Sequence, residues 1–482
     1  MRNFIILVVI LFTAYSEGKT VFDESATFEF SSSLAKIRWL EGDFIRTTQG
    51  ENTVDIGRFT IQDIDEEQAV LFDAFNITLA NIIIIELSTK KGIVDIYSKE
   101  ANKSKQTAQL IIKTIQGTSY LTPKVDTYVL RTARKPQGSK EIVKIGGKNI
   151  GLLMFEIPSE LLLNLVDVQD IQLKLTTTNR QYGSAEIEVK QLNLLSHTAQ
   201  VSQPGIANKY LSDKDISNDN HVYFAENFNQ HSLWDSLSET VGLKTSIFGK
   251  NVNLTYIDHK DVNHFSSEQG QAIVVNYTKK KNLALNLDYY FKKNQGIEPE
   301  EAYFRYYLMV EPGSEISGGG KLPGFGGTYN KAGWGGRGND GYKGWSARGA
   351  FYASINEVDS QWQGYMPIGQ YIYEVGKDKY GQILPWGNEL STIQPGKWYS
   401  IEQRLKLNTP GESDGILEVW INGIKIFSKR DIKLRNLSKL KIEKIWFNFY
   451  FGGVAKPKND FNIYIDNIVI ASHYIGPYQT FE

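Results

Sequence analysis

The stretch Trp446–Phe451, WFNFYF, has a phenylalanine at every second position. Successive side chains of a β-strand point to opposite faces, so the phenylalanines would share one face. The opposite face would carry Trp446, Asn448 and Tyr450. One apolar face and one mixed face predict a strand that buries its phenylalanines in a core, with Asn448 and Tyr450 on the face that would line a cleft.

The same alternation recurs along the C-terminal half of the chain. Trp398–Leu407 alternates between apolar and polar positions, and Asn422-Gly423 between two short apolar runs is a strong hairpin signal. Further strands are predicted at Glu301–Glu311 and Phe461–Ala471. Strands this numerous and regular predict an all-β fold, a jelly-roll sandwich with one concave face, over residues 221–477.

The earlier part of the chain is also rich in strand-forming residues. Residues 19–195 predict a β-rich, sandwich-like domain whose role stays open, carbohydrate binding being one possibility. A short helix is predicted within it at Pro158–Val166, with proline at the first helical position. Residues 197–220 are polar and lack periodicity, so they predict a linker.

Residues 1–16 have the pattern of a secretory signal peptide. Arg2 precedes the apolar run Phe4–Thr13, and Ala14-Tyr15-Ser16 would be the cleavage site. The apolar run is shorter than a typical membrane span, and no later segment exceeds it, so no membrane partner is expected. Sequons for N-glycosylation fit a secreted, extracellular protein; they lie at Asn76, Asn102, Asn253, Asn276 and Asn436.

Composition excludes several classes of function. The chain has 482 residues and a net charge of -1, so nothing in its overall charge indicates a nucleic-acid partner. It contains no cysteine, which excludes thiol catalysis, zinc–thiolate sites and iron–sulfur clusters. His259 and His264 are poorly spaced for a metal pair, so we predict neither a metal nor a cofactor.

The run Gly318–Tyr352, GGGKLPGFGGTYNKAGWGGRGNDGYKGWSARGAFY, combines glycines with cations. Its cations outnumber its single acid, Asp340; they are Lys321, Lys331, Arg337, Lys343 and Arg348. Glycine lets the backbone approach a ligand closely, and cations attract an anionic one. Tyr371-Ile372-Tyr373 follows this run and adds two hydroxyls.

Four blocks of sequence follow one another at sensible spacing between residues 302 and 477. They are GGKLPG at Gly319–Gly324 with Gly326-Gly327; Ser346-Ala347-Arg348 with Tyr371-Ile372-Tyr373; Gly396-Lys397-Trp398 through Arg404, Leu407–Gly411, Asp414-Gly415 and Trp420; and Phe449–Gly453 with Ile465-Asp466-Asn467. Together they resemble polysaccharide lyase family 14, whose members cleave alginate and related polyuronates by β-elimination. The family's β-jelly roll, with substrate in the concave cleft, agrees with the strand prediction.

The resemblance implies a set of functional residues. Those that match the family's own are Lys321, Ser346, Arg348, Tyr371 and Tyr373. Arg404, Asn448, Tyr450 and Arg305 are predicted to line the cleft and bind substrate. Glu374, directly after the second tyrosine, is a departure, because it puts an acid where an anionic substrate would be near.

The chemistry of β-elimination suits these residue types. The enzyme must stabilise an enolate-like dianion at the uronate carboxylate, take the C5 proton and protonate the leaving oxygen. We therefore expect Lys321 and Arg348 to neutralise the carboxylate and Ser346 to orient the substrate. Tyr371 and Tyr373 would share the roles of base and acid, if neighbouring cations lower the pKa of a tyrosine. Their positions lie about 6.6–7 Å apart along a strand.

Two other functions stay open from the sequence. A lectin-like or wall-associated protein would use the same cleft of cations and aromatics to bind a polysaccharide without turnover. Hydrolysis by paired carboxylates has candidate acids in Glu374, Glu402 and Glu418, but no pattern pairs two of them. Trp398, Trp420, Trp446 and Phe449 are expected in the core. The sequence does not distinguish mannuronate, guluronate and glucuronate linkages, endo and exo cleavage, or oligomeric states.

Overall fold

The computed structural model describes residues 22, 25–26, 30–32, 35–38, 53–62, 69–74, 77, 82–101, 107–130, 135–158, 161, 168–192, 204–229, 243–245, 255–258, 270–358, 360–453 and 455–478. These residues form two compact units, Met1–Thr198 and Ala199–Glu482. The predicted signal peptide, three of the sequons (Asn76, Asn102 and Asn253), His259, His264 and most of the predicted helix lie outside the described residues.

Most of the described residues of the first unit lie in strands. They are β1 (Phe30–Ser32), β2 (Ile37–Arg38), β3 (Thr53–Ile61), β4 (Ala69–Asp73), β5 (Ile82–Tyr97), β6 (Gln109–Thr114), β7 (Gly117–Leu121), β8 (Val125–Leu130), β9 (Ile142–Gly146), β10 (Asn149–Glu156) and β11 (Val168–Leu192). The long strand β11 pairs with β3, β4, β5 and β6, and β5 continues the sheet to β9 and β10. Ile85, Leu153 and Ile187 lie in its main core.

The second unit contains sixteen strands among its described residues. They are β12 (Val222–Glu226), β13 (Leu243–Thr245), β14 (Thr255–Asp258), β15 (Gln271–Tyr277), β16 (Leu283–Tyr290), β17 (Glu301–Val310), β18 (Gly320–Gly327), β19 (Trp345–Phe351), β20 (Met366–Ile372), β21 (Gln382–Pro385), β22 (Thr392–Ile393), β23 (Trp398–Lys406), β24 (Gly415–Ile421), β25 (Ile424–Ile432), β26 (Lys444–Phe451) and β27 (Phe461–Ala471). A short helix, α1 (Phe291–Gln295), follows β16. The 3-10 turns are Ile206–Lys209, Ile216–Asn218 and Glu389–Ser391.

Two antiparallel eight-stranded sheets build this unit. One has the order β14-β15-β27-β17-β23-β24-β25, with β12 paired to β27; we call it the back sheet. The other has the order β13-β16-β26-β18-β19-β20-β21, with β22 paired to β20; we call it the front sheet. The prediction of an all-β fold with a jelly-roll sandwich is confirmed.

The core lies between the two sheets because both turn an apolar face inward. Phe447, Phe449 and Phe451 of β26 are almost completely buried, as their alternation predicted. Phe447 meets Phe304 of the back sheet edge-on, with ring centroids 5.1 Å apart. Burial of one such ring stabilises the fold by about 1.5–3 kcal/mol, so these contacts hold the sheets face to face.

The segment 204–220, within the predicted linker, belongs to the second unit and packs against the rest of it. Ile206 and Ile216 are buried beside Ile475. The backbone N–H of Ile206 donates to the carbonyl of Tyr474 at 3.1 Å, so the two ends of the unit lie side by side. Polar composition hid the few apolar side chains that attach this segment.

No helix among the described residues is long and apolar enough to cross a membrane. The sequon residue Asn276 is exposed on β15, and Asn436 is half-buried.

Candidate active site

A row of polar and aromatic side chains covers the face of the front sheet that points away from the core. We call this set the front cluster: Asn286 and Asp288 on β16; Lys444, Trp446, Asn448 and Tyr450 on β26; Lys321 on β18; Ser346 and Arg348 on β19; Tyr371 at the end of β20 and Tyr373 just after it. The strands carrying it are neighbours in the sheet, so residues distant in sequence meet here.

Lys321 stands at an irregularity of β18. The pairing of β18 with both neighbours shifts between Lys321 and Gly324, and Pro323 lies inside this shift. Proline has no N–H for the ladder, so a central strand tolerates it only at a bulge. The Lys321 ammonium donates to the carbonyl of Gly452 and lies 5.2 Å from the ring centroid of Tyr450.

The environment of Lys321 lowers its pKa to about 8, chiefly through burial and secondly through the positive charge of Arg348. No acidic group forms an ion pair with Lys321 among the residues that the structure describes. An ammonium held near a second cation is a strong site for an anion.

Arg348 is buried and held by neutral partners. Its Nη1 donates to Asn448 Oδ1 at 2.7 Å, and its guanidinium lies 4.2 Å from the ring centroid of Trp446. Burial lowers the pKa of Arg348 to about 10. Its Nε is buried and has no hydrogen-bond partner in the described part of the chain. A buried guanidinium with an unused donor fits an anionic ligand, whose oxygens accept such bonds.

Tyr371 and Tyr373 converge on the cations. The two hydroxyls lie 3.2 Å apart, and their rings meet edge-on. Lys321 Nζ and the Arg348 guanidinium lie 4.8 Å and 5.5 Å from the ring centroid of Tyr371. The hydroxyls are thus closer to each other than the spacing along the backbone, because the rings lean together.

Hydrogen-bond direction is set within this tyrosine pair. The Tyr371 hydroxyl donates to the backbone carbonyl of Tyr380, which can only accept. Its single proton is therefore used, and Tyr373 must donate to the Tyr371 oxygen. Burial raises the pKa of Tyr371, although the positive charge of Arg348 opposes this rise. The expectation that neighbouring cations lower the tyrosine pKa is therefore wrong for Tyr371.

Ser346 lies in the same cluster but is fully buried. Its hydroxyl donates to the carbonyl of Gly333 at 2.6 Å, which ties the glycine-rich loop to β19. A Cβ at Gly333 would stand 2.4 Å from the carbonyl carbon of Trp345, so only glycine allows this approach. The hydroxyl of Ser346 thus supports the loop beside the cations.

Arg404 and Arg305 belong to the back sheet, so the structure does not bring them to the front cluster. Arg404 forms ion pairs with Glu418 at 2.6 Å and with Glu301 at 2.7 Å. Arg305 is fully buried and pairs with Asp213. Alternation assigned each residue to a face of its strand, but it contains no information on which of the two sheets holds the strand.

Asn448 and Tyr450 do lie in the front cluster, and two further residues join them. Trp446, expected in the core, is half-buried and stacks on Arg348. Asn286 accepts hydrogen bonds from Trp446 Nε1 at 2.7 Å and from Asn448 Nδ2 at 3.0 Å. The alternation of WFNFYF could have indicated that Trp446 shares a face with Asn448 and Tyr450. No sequence pattern singles out Asn286 in β16.

The candidate acids for hydrolysis lie apart from the front cluster. Glu402 accepts from the backbone N–H groups of Ile475 and Gly476, each at 2.8 Å, and Glu418 binds Arg404. Glu374 is buried 3.8 Å from Lys429, and burial raises its pKa. Within the described residues, no hydrogen bond joins any of these acids to the hydroxyls of the tyrosine pair.

Comparison with known proteins gives a family for this region. Residues 267–468 match the family model Polysaccharide lyase 14, and no curated protein matches the chain. A solved marine PL-14 alginate lyase from Aplysia kurodai is 18% identical and covers 52% of this chain and 99% of its own, with a TM-score of 0.40.

Two other solved structures are similar over the same share of the chain. The alginate lyase of a Chlorella virus is 18% identical and covers 52% of this chain and 99% of its own, with a TM-score of 0.39. The endo-β-1,4-glucuronan lyase of the fungus Trichoderma reesei is 11% identical and covers 52% and 95%, with a TM-score of 0.32. The four sequence blocks lie within residues 267–468, so the resemblance of this region to polysaccharide lyase family 14 is confirmed.

Proposed function

We propose that the second unit cleaves a polyuronate, alginate or glucuronan, by β-elimination. One observation carries the proposal: Lys321 and Arg348 stand without acidic partners, among the described residues, beside two tyrosine hydroxyls 3.2 Å apart. β-Elimination needs positive charge at a carboxylate and proton-transferring groups next to it. The front cluster places both on one face of one sheet.

The cations would bind the uronate carboxylate and stabilise the negative charge that develops when the C5 proton leaves. Arg348 offers a fork of donors, while Lys321 supplies a compact charge. Their own hydrogen bonds go to neutral groups, Asn448 and the carbonyl of Gly452. Their positive charge is therefore not cancelled before substrate arrives.

The tyrosines would divide the proton transfers. Tyr371, whose pKa is raised by burial, stays a phenol at neutral pH and is suited to protonate the leaving glycosidic oxygen. Tyr373, whose hydroxyl lies 3.2 Å from that of Tyr371, then takes the C5 proton as the base. The C–O bond breaks as the C4–C5 double bond forms, and the two proton transfers leave the chain with its original charge. Substrate must displace the Tyr380 carbonyl from the Tyr371 hydroxyl.

The first test is a direct assay of the full chain without added metal. Polymannuronate, polyguluronate and glucuronan are each incubated with it, and the ultraviolet absorbance of unsaturated uronate is followed. A rise with one polymer supports lyase chemistry and identifies its substrate. Flat traces with retained binding of a polymer would instead support the lectin-like alternative, in which the same cluster binds without turnover.

We also propose that the protein is secreted and acts outside the cell, where such polymers occur. The support is the sequence pattern of residues 1–16 and the sequons. Expression in a eukaryotic host, with N-terminal sequencing of protein from the medium, tests this. Protein retained in the cells with an intact Phe4–Thr13 run would contradict it.

A further inference from the structure

A chain of hydrogen bonds leads away from Arg348 across the front sheet. Arg348 donates to Asn448 Oδ1 at 2.7 Å, and Asn448 Nδ2 donates to Asn286 Oδ1 at 3.0 Å. Trp446 Nε1 donates to the same oxygen of Asn286 at 2.7 Å. Arg348 and Asn448 are both almost completely buried, so their orientation is set by these bonds.

The far end of the chain is an ion pair. Asn286 Nδ2 donates to Asp288 Oδ2 at 3.3 Å, and Lys444 Nζ lies 2.9 Å from Asp288 Oδ1. The Lys444 and Asp288 side chains are each only 9% exposed. A pair so enclosed is costly to break, so Asp288 is a fixed acceptor.

Each amide in this chain has only one orientation that satisfies its neighbours. A carboxylate accepts and an indole N–H donates, and neither can exchange roles. Asn286 therefore turns its nitrogen to Asp288 and its oxygen to Trp446. That oxygen takes the nitrogen of Asn448, which leaves the oxygen of Asn448 facing Arg348. If Asn286 were flipped, its nitrogen would face Asn448, and Asn448 would have to flip as well. The N–H groups of Asn448 would then face the guanidinium of Arg348.

We propose that Asn286 and Asp288 are positioning residues, which orient the Asn448 amide and through it the Arg348 guanidinium. The role attributed to Arg348, binding the uronate carboxylate, rests on the proposed function. The chain uses a neutral amide as the last contact, so Arg348 is oriented and keeps its full charge. A carboxylate at the same place would orient it equally well but would compete with the substrate.

The test exploits the direction of the bonds. In Asp288→Asn the side chains at 286 and 288 are both amides, each with only one acceptor oxygen. They cannot accept from Lys444, Trp446 and Asn448 and also bond each other. In the double exchange Asn286→Asp/Asp288→Asn every direction is restored: the new carboxylate accepts from Trp446, Asn448 and the amide at 288, whose oxygen accepts from Lys444. The exchange conserves net charge and nearly conserves volume, so it separates bond direction from packing.

We expect D288N and N286A to lower kcat/KM at least tenfold, and the double exchange to return it to within about threefold of the wild type. Crystal structures should show the Arg348–Asn448 contact broken in N286A and re-formed in the double exchange. Asn459→Asp, at an exposed position before β27, is the control and should change neither. The melting temperature of each variant monitors folding.

Full activity in D288N, or a double exchange as impaired as D288N, would overturn the proposal. The crystallographic comparison does not depend on turnover. If the wild type cleaves no polyuronate, the proposed function fails, and the position of Arg348 in the variants still decides whether Asn286 and Asp288 orient it.

Discussion

At the scale of single residues, the charged form of Lys321 is destabilised by its surroundings in the free protein and would be stabilised by a bound anion. The fold buries it beside Arg348, and both effects favour the neutral amine, which is why its pKa is lowered to about 8. A uronate carboxylate would restore the preference for the charged form. Lys321 is therefore set to hold its proton most firmly when an anion is bound.

The pH profile of the free enzyme should report this lysine. Below pH 8 Lys321 is charged, and above it the amine becomes neutral, so kcat/KM should fall above about pH 8 by up to tenfold per pH unit. Lys321→Arg stays charged over this range, so its profile should lack that decline. A wild-type kcat/KM that rises through pH 8 would contradict the charge role and point to the amine as a base.

Loss of either hydroxyl of the tyrosine pair should remove turnover and spare binding. Tyr371→Phe and Tyr373→Phe should each lower kcat by roughly 10²–10⁴-fold, the usual contribution of a positioned acid or base. Affinity for a uronate oligomer, measured by calorimetry, should change little, because the cations stay. Tyr342→Phe, an exposed tyrosine of the glycine-rich loop, is the matched control. Full activity in both pair variants would exclude the assigned roles.

Sequence alone predicted part of this site, for identifiable physical reasons. Lys321, Arg348, Asn448 and Tyr450 were placed together because motif and alternation both depend on local chain geometry. The raised pKa of Tyr371 depends on its burial in the folded sheet, which no local pattern encodes. The same is true of Asn286, whose importance comes only from its contacts with Trp446 and Asn448.

At the scale of elements, strand β18 separates the two halves of the front cluster and carries few side chains of its own. A Cβ at Gly326 would lie 3.3 Å from the Cγ and Cε atoms of Lys444, whose flexible stem can yield. A Cβ at Gly324 would lie 2.5 Å from the Ala347 carbonyl oxygen and the Arg348 Cα, which are backbone atoms. These glycines let long side chains from the neighbouring strands cross β18.

The two glycines should respond differently to the same substitution. Gly324→Ala forces the backbone of β19 to move and should destabilise the protein by about 1–3 kcal/mol, the usual cost of overpacking. Gly326→Ala should cost less than about 1 kcal/mol, because only the Lys444 stem must move. Urea unfolding of both variants measures the difference. Equal losses would mean that β18 and β19 are not in this close contact.

The strands themselves were the most predictable elements. Trp398–Lys406 and the hairpin around Asn422-Gly423 occur where alternation and turn chemistry placed them. Asn422 and Gly423 both have positive φ, 51° and 78°, as such a tight hairpin turn requires. The assignment of Arg404 to the cleft required knowing the sheet of β23, and that depends on pairings between residues far apart in sequence.

At the scale of the whole unit, the buried pair Arg305–Asp213 attaches the segment 204–220 to the back sheet. The Arg305 guanidinium also donates to the carbonyl of Gly476 at 2.9 Å, so one cation joins the segment, β17 and the C-terminal stretch. Glu402 holds the same stretch through its two bonds to backbone N–H groups. Polar contacts therefore hold the segment 204–220 and the C-terminal stretch to the back sheet, in a region where most other contacts are apolar.

Removal of one partner should therefore be severe. Asp213→Ala leaves the Arg305 charge buried without its counter-ion and should destabilise the second unit by about 3–5 kcal/mol. Asp215→Ala, an exposed acid of the same segment, is the control. Tryptophan fluorescence during urea unfolding reports on this unit, because every tryptophan except Trp39 follows residue 199. A loss below about 1 kcal/mol would show that the segment is attached mainly by its apolar residues.

The adjacency of Ile206 and Tyr474 has a consequence for how such a unit can be reused. A chain that enters and leaves a fold at one place can be inserted into a surface loop of another protein without stretching its host. It can equally be circularly permuted, with residue 478 joined to residue 204 by a short loop and new termini opened at Asn422-Gly423. The second unit can therefore be moved between protein chains as one piece, and its neighbours along the chain can be exchanged while the front cluster stays intact.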